Sequence, residues 1–152
     1  MPDSDAMQGV SGGERSAFEG VLNLLANNFD CVDVSPRHAR VNVKIAGGSH
    51  PATIYYGSSS LEGSREVVHI ASPLLNVSET RVYEIARQLD DMPLGSLRRL
   101  GGILHIHEAL ALGEFTDEAL ISCVRLIAAQ AQSLMSSMGA GASAGETTQG
   151  EQ

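Results

Sequence analysis

The chain has no tryptophan, and aromatic residues make up only 4% of its 152 residues. Its core cannot lean on large rings and must be aliphatic, built from the Leu, Ile, Val and Ala within a 43% hydrophobic content. Basic residues are scarce as well. Ten Lys and Arg stand against 18 Asp and Glu, a formal charge of −8. Phosphate backbones need a basic surface, so nucleic acid is not the expected partner. An anionic membrane surface is disfavoured for the same reason. An acidic surface favours solubility and suits a basic or apolar partner. The two cysteines, Cys31 and Cys123, lie in the apolar stretches Phe29-Asp30-Cys31-Val32 and Leu120-Ile121-Ser122-Cys123-Val124. Two cysteines make no disulfide framework, and both read as small buried thiols. The opening Met1-Pro2-Asp3-Ser4-Asp5 is acidic and lacks the apolar run of a signal peptide. No stretch approaches the roughly 18 uncharged apolar residues of a membrane span. The expected location is the cytoplasm.

Catalytic signatures are missing too. Gly47-Gly48 and Gly101-Gly102 do not extend into a phosphate-cradling loop. Gly57-Ser58-Ser59-Ser60 is a small polar run without the spacing of a nucleophile elbow. Asp90-Asp91 are adjacent, and adjacent helical residues do not face one another, so they are poor acid/base partners. Arg98-Arg99 reads as a solvated pair with one guanidinium reaching an acid. No catalytic or cofactor-binding residue is expected, and the chain does not read as an enzyme.

What is present is a run of amphipathic segments. Residues 1–11 and 139–152 read from composition as disordered tails, leaving a single domain at 12–138. A first helix is expected from Gly12 to Asn28, with Phe18, Val21, Leu22 and Leu25 as its stripe and Ser11 and Glu14 at capping-box spacing. Val41, Val43 and Ile45 alternate with polar residues as a half-buried strand. Strands at 51–56 and 66–71 follow, separated by a Gly/Ser loop at 57–64. The 66–71 strand puts Val68 and Ile70 on one face, with Val67 and His69 on the other. A second helix, at about 79–90, has Ser78 as N-cap and the stripe Val82, Ile85, Ala86 and Leu89. Leu97 to Leu100 and Ile103 to Leu110 form a tight hairpin over Gly101-Gly102, because glycine tolerates the positive φ such a turn needs. A last helix after Thr116 carries Leu120, Cys123, Val124, Ile127, Ala131, Leu134 and Met135. The expected class is α+β: α-β-β-β-α-β-β-α, an antiparallel sheet covered by helices.

The order and several local motifs resemble the fold shared by type III secretion chaperones and YbjN-like domains. Ala71-Ser72-Pro73-Leu74 is similar to a YbjN-like strand end, and Met92-Pro93-Leu94-Gly95-Ser96 to its following turn, with Ser96 where that family usually has Phe. His107-Glu108-Ala109-Leu110 and Phe115-Thr116-Asp117-Glu118-Ala119-Leu120 continue the likeness, which spans most of residues 12–138. The resemblance implies a non-enzymatic, chaperone-like protein-binding module, regulatory if YbjN-like, and a cytoplasmic homodimer. A dedicated secretion chaperone for an effector is the alternative. Strand addition and apolar pockets would hold the partner chain. The partner or dimer surface falls on Val82, Ile85 and Leu89 of the second helix and on Leu134, Met135 and Met138 of the last, whose stripe is longer than such a domain needs.

One constellation points elsewhere. His105 and His107 share a strand face, and His69 on another strand can lie beside them. Three imidazoles could hold zinc or a similar ion, a third reading, against the plainer one of a polar sheet face opposite Leu104, Ile106 and Leu110. Glu108 has the wrong parity to join as a ligand.

Overall fold

The computed structural model describes the backbone of residues 12–59 and 65–150, with side chains described at 17–57 and 65–139. The residues 1–11, including Ser11 of the expected capping box, lie outside the described residues, as does part of the expected 57–64 loop. Helix α1 spans Gly12–Asn28 and is followed by four strands: β1 (Asp30–Ser35), β2 (His38–Ile45), β3 (Gly48–Ser59) and β4 (Arg65–Pro73). A 3₁₀ turn (Glu79–Arg81) leads into α2 (Val82–Leu89), then β5 (Ser96–Leu100), β6 (Ile103–Ala111) and α3 (Asp117–Gly150).

The α+β class and the antiparallel sheet are as expected. The strand count before α2 is corrected from three to four, because 30–35 pairs with β2 as an edge strand. Its pairing shifts between Cys31 and Asp33, and this bulge breaks the period-two pattern that marks a strand in sequence. β3 also runs on through Gly57 to Ser59, paired with Val67 to Arg65, where a loop was expected. The helical backbone of α3 continues to Gly150, into the stretch read from composition as a tail.

The six strands lie in the order β1-β2-β3-β4-β6-β5. Consecutive strands pair until β4. There the chain crosses over through α2, and β6 slots between β4 and its own hairpin mate β5. The β5–β6 turn is the expected two-residue link: Leu100 opposes Ile103, and Gly101 and Gly102 have φ of 57° and 80°.

Side chains alternate along each strand, so register assigns every residue to a face. One face carries Ala39, Val41, Val43, Ala52, Ile54, Val68, Ile70, Leu104 and Ile106, all buried. Against it pack Phe18, Val21 and Leu25 of α1, Ile85 of α2, and Leu120, Val124, Ile127, Ala131, Leu134 and Met138 of α3. Capping contacts set the helix starts: Ser78 Oγ accepts from Thr80 N–H at 3.2 Å, and Thr116 Oγ1 from Ala119 N–H at 3.1 Å. Cys123 is buried in this core and Cys31 is half-buried beneath α1; both are free thiols.

Two expectations are corrected by this packing. Ile85, Leu134 and Met138 are buried within the single chain, and Leu89 and Met135 pack against the same core. The long stripe of α3 is therefore consumed by the sheet, and of the proposed surface residues only Val82 is exposed. The second correction concerns hydropathy. Asp117–Gly139 is long and apolar enough to cross a membrane by length and composition, contrary to the sequence expectation. In this fold its apolar stripe is the central packing surface of the core.

Candidate functional site

The opposite sheet face differs in kind. Among the described residues no helix packs on it; α1, α2 and α3 all bury their stripes in the core of the first face. Register places Arg40 and Lys44 of β2, Arg65 and His69 of β4, Arg98 of β5, and His105 and His107 of β6 on this side. His38 joins them through its pairing with Tyr55, which in turn pairs with His69. Among the described strands, the acids at uncovered positions are Asp30 and Asp33, both on β1 at the far edge from Arg98. A protein of net charge −8 thus gathers basic residues on its uncovered face.

At the centre is a chain of contacts across four strands. The Tyr55 and His69 rings stack with centroids 4.6 Å apart, and the His69 and His107 rings stand 5.1 Å apart. His69 Nδ1 lies 2.9 Å from His107 Nε2, and Arg98 Nη1 lies 3.2 Å from that same nitrogen. A guanidinium can only donate, so the Arg98 contact calls for the lone pair of His107 on Nε2 and its proton on Nδ1. His107 is only 6% exposed although it stands on the uncovered face. Burial, then Arg98, then His69 and His105, push its pKa down to about 4. His69 is lowered by burial and by Arg98. Burial raises the Tyr55 phenol, with Arg98 opposing.

The His69 ring has a specific seat. A Cβ on Gly57 would stand 2.8 Å from His69 Nε2, so only glycine leaves room for the imidazole there. The glycine read in sequence as part of a loop is a strand residue with a packing reason.

The predicted histidines are therefore only partly brought together. His69 and His107 meet. His105 turns back to its own strand, with Nδ1 2.9 Å from Ile103 O. Among the described residues no three His, Cys, Asp or Glu side chains are placed to hold a metal ion. The nitrogen that a metal would take from His107 is already occupied by a guanidinium, whose charge repels a cation. The reading of the arginine pair holds for Arg99, whose Nε is 2.9 Å from Glu79 Oε1. Arg98 and Tyr55 are the residues sequence reasoning missed. The hairpin register alone puts Arg98 opposite His105, one step from His107.

A second polar group closes the β1–β2 hairpin on the same face. Ser35 Oγ is 2.6 Å from His38 Nδ1, and His38 Nε2 is 3.2 Å from Asp33 Oδ2. Ser35 Oγ also accepts from Arg37 N–H at 3.3 Å, so the hydroxyl helps to form the turn. Elsewhere, buried His50 donates from Nε2 to Pro73 O at 2.8 Å and ties β3 to the end of β4.

Surface cavities of about 330 Å³ and 220 Å³ lie beside Phe29 and Arg125 and beside Leu75 and Met135, and no histidine lines either. The sheet edges differ from each other. β5 is short and carries Arg98 and Arg99, whereas β1 leaves Val32 and Val34 46% and 55% exposed. No protein-family model matches this chain, and a search of curated proteins finds no relative.

Proposed function

We propose that this protein is a non-enzymatic binding module that takes an extended segment of another chain along the β1 edge. One observation carries the reading: an edge strand in a six-stranded sheet presents two exposed valines. Unpaired N–H and C=O groups along such an edge supply main-chain hydrogen bonds to an added strand, and neighbouring apolar groups select its side chains. Val32 and Val34 give β1 exposed apolar groups that β5 lacks, which favours β1 as the acceptor. Asp30 and Asp33 on β1 favour a segment with basic residues.

This is the chaperone-like behaviour implied by the likeness to YbjN-like domains, and a dedicated secretion chaperone is its narrower form. Two free thiols suit a reducing compartment such as the cytoplasm. The same edge offers a route to a homodimer by β1–β1 pairing, which replaces the helical dimer surface expected from sequence.

The test is selection from an extended-peptide library followed by amide exchange. Selected peptides should slow exchange along β1, and a Val32→Lys/Val34→Lys variant should lose them. Peptides that bind the variant equally well, or protect no β1 amide, remove the edge from the account. Light scattering on the same variant separates a β1-edge dimer, which becomes monomeric, from one formed elsewhere.

Ser35, His38 and Asp33 favour a second reading, since their contacts satisfy the nucleophile–base–orienter geometry of an activated serine. An activated Ser35 would be labelled by a fluorophosphonate, and Ser35→Ala would abolish the label. An unlabelled wild-type protein leaves the three residues as a hairpin clasp.

A further inference from the structure

Arginines in this fold are mostly satisfied by an acid or a ring. Arg65 pairs with Glu114, Arg81 with Glu84 and Arg99 with Glu79. Arg37 lies over Tyr56 and Arg125 over Phe29. Arg98 instead meets an imidazole, with its Nη1 3.2 Å from His107 Nε2, and the further groups around that imidazole are His69 and His105. Facing this cluster are Tyr55 from β3, His69 from β4, His105 from β6 and Arg98 from β5. The strand acids of the uncovered face, Asp30 and Asp33, are strands away on β1, where Asp33 is engaged by His38, and Glu114 is engaged by Arg65.

We propose that the uncovered face carries an oxyanion site centred on Arg98, where a carboxylate or phosphate group replaces His107 as the partner of the guanidinium. The chemistry favours the exchange. A neutral acceptor is a weak partner for a planar cation with a fork of donors, whereas a carboxylate or phosphate matches that fork and neutralises its charge. Arg98 is exposed on its edge strand, so an arriving anion can reach the guanidinium from solvent. The surrounding basic residues draw the anion to this face of an otherwise acidic protein.

Binding is linked to protons. In the free protein, protonating His107 Nε2 would break its bond to Arg98 and set two cations side by side. An oxyanion engaged by Arg98 releases that nitrogen and screens it, so His107 takes a proton more readily. By reciprocity, the anion binds more tightly as the pH falls.

The experiment follows the ring resonances of His69 and His107 by NMR in the full chain. Inorganic phosphate and, separately, acetate are added at millimolar concentration and at two pH values. Both histidines should move together and saturably, with tighter binding at the lower pH. Arg98→Ala should weaken the response at least tenfold, and Arg98→Lys should restore part of it. A response to phosphate alone assigns the site to phosphate groups. A response to acetate alone, or to both, extends it to carboxylates. Resonances that neither anion moves, or that move equally in Arg98→Ala, overturn the site. Arg98 lies on an exposed edge strand, and unchanged amide spectra elsewhere verify that the variant is folded.

Discussion

The two faces of this sheet are made by the same six strands and alternate residue by residue, yet they obey different physics. On the covered face, Val41, Ile54, Ile70 and Ile106 are sealed under three helices and contribute through apolar area removed from water and close packing. On the uncovered face, Tyr55, His69, His107 and Arg98 hold one another by directed contacts, and His107 is shielded by neighbours on its own layer. The first face makes the fold stable. The second is held at a cost, since a buried imidazole beside a guanidinium is not what stability alone would select.

The contrast is easiest to break from the covered side. Ile70→Ala removes a fully buried side chain between β3, β6 and α3 and should cost about 2–5 kcal/mol in urea unfolding. Thr53→Ala, on the other face of the neighbouring strand, should stay within about 0.5 kcal/mol.

The pH dependence sharpens the contrast next. The folded pKa of His107 is about 4, below its ordinary 6.5. Between those values the unfolded chain binds a proton that the folded chain refuses, so His107 lowers stability as the pH falls through that window. The loss is at most about 3 kcal/mol. Urea midpoints at pH 7 and pH 4.5 should differ less in His107→Gln than in wild type, and an equal difference would mean that other groups carry the pH response.

A smaller loss than that of Ile70 belongs to Gly57. Gly57→Ala should displace the His69 ring and cost about 1–2 kcal/mol. Most of that cost should vanish in a His69→Ala background, because the clash is with that ring; additive losses in the double mutant would place the strain in the backbone instead.

How legible this was from sequence varied with the source of order. The stripes of α1 and α3 and the β5–β6 hairpin announce themselves, because helical periodicity and Gly-Gly turn chemistry are local. β1 was hidden by its bulge at Cys31 to Asp33, and the end of β3 by glycine and serines that become a strand only through pairing with β4. Parity correctly put His69 on the side facing away from Ile70, and His105 beside His107. It could not say that β4 and β6 are neighbours, because that adjacency arises from the crossover through α2. Tyr55 entered the cluster only with the sheet order, whereas Arg98 follows from the register of the β5–β6 hairpin. The helical stripes misled in one respect: Leu134 and Met138 looked like surplus surface until the width of six strands accounted for them.

The insertion of β6 between β4 and β5 also bears on how the chain finds its structure. β1 through β4 can assemble as a meander, and β5–β6 as a hairpin, each from short-range contacts. The two pieces then meet along a single seam, β4 against β6, across which His69 and His107, 38 residues apart, touch diagonally. Closing that long loop delays the reward of the contacts it brings, so docking at the seam should limit the folding rate. The histidine pair spans that joint, and acid that protonates it would loosen the sheet between its two separately formed parts.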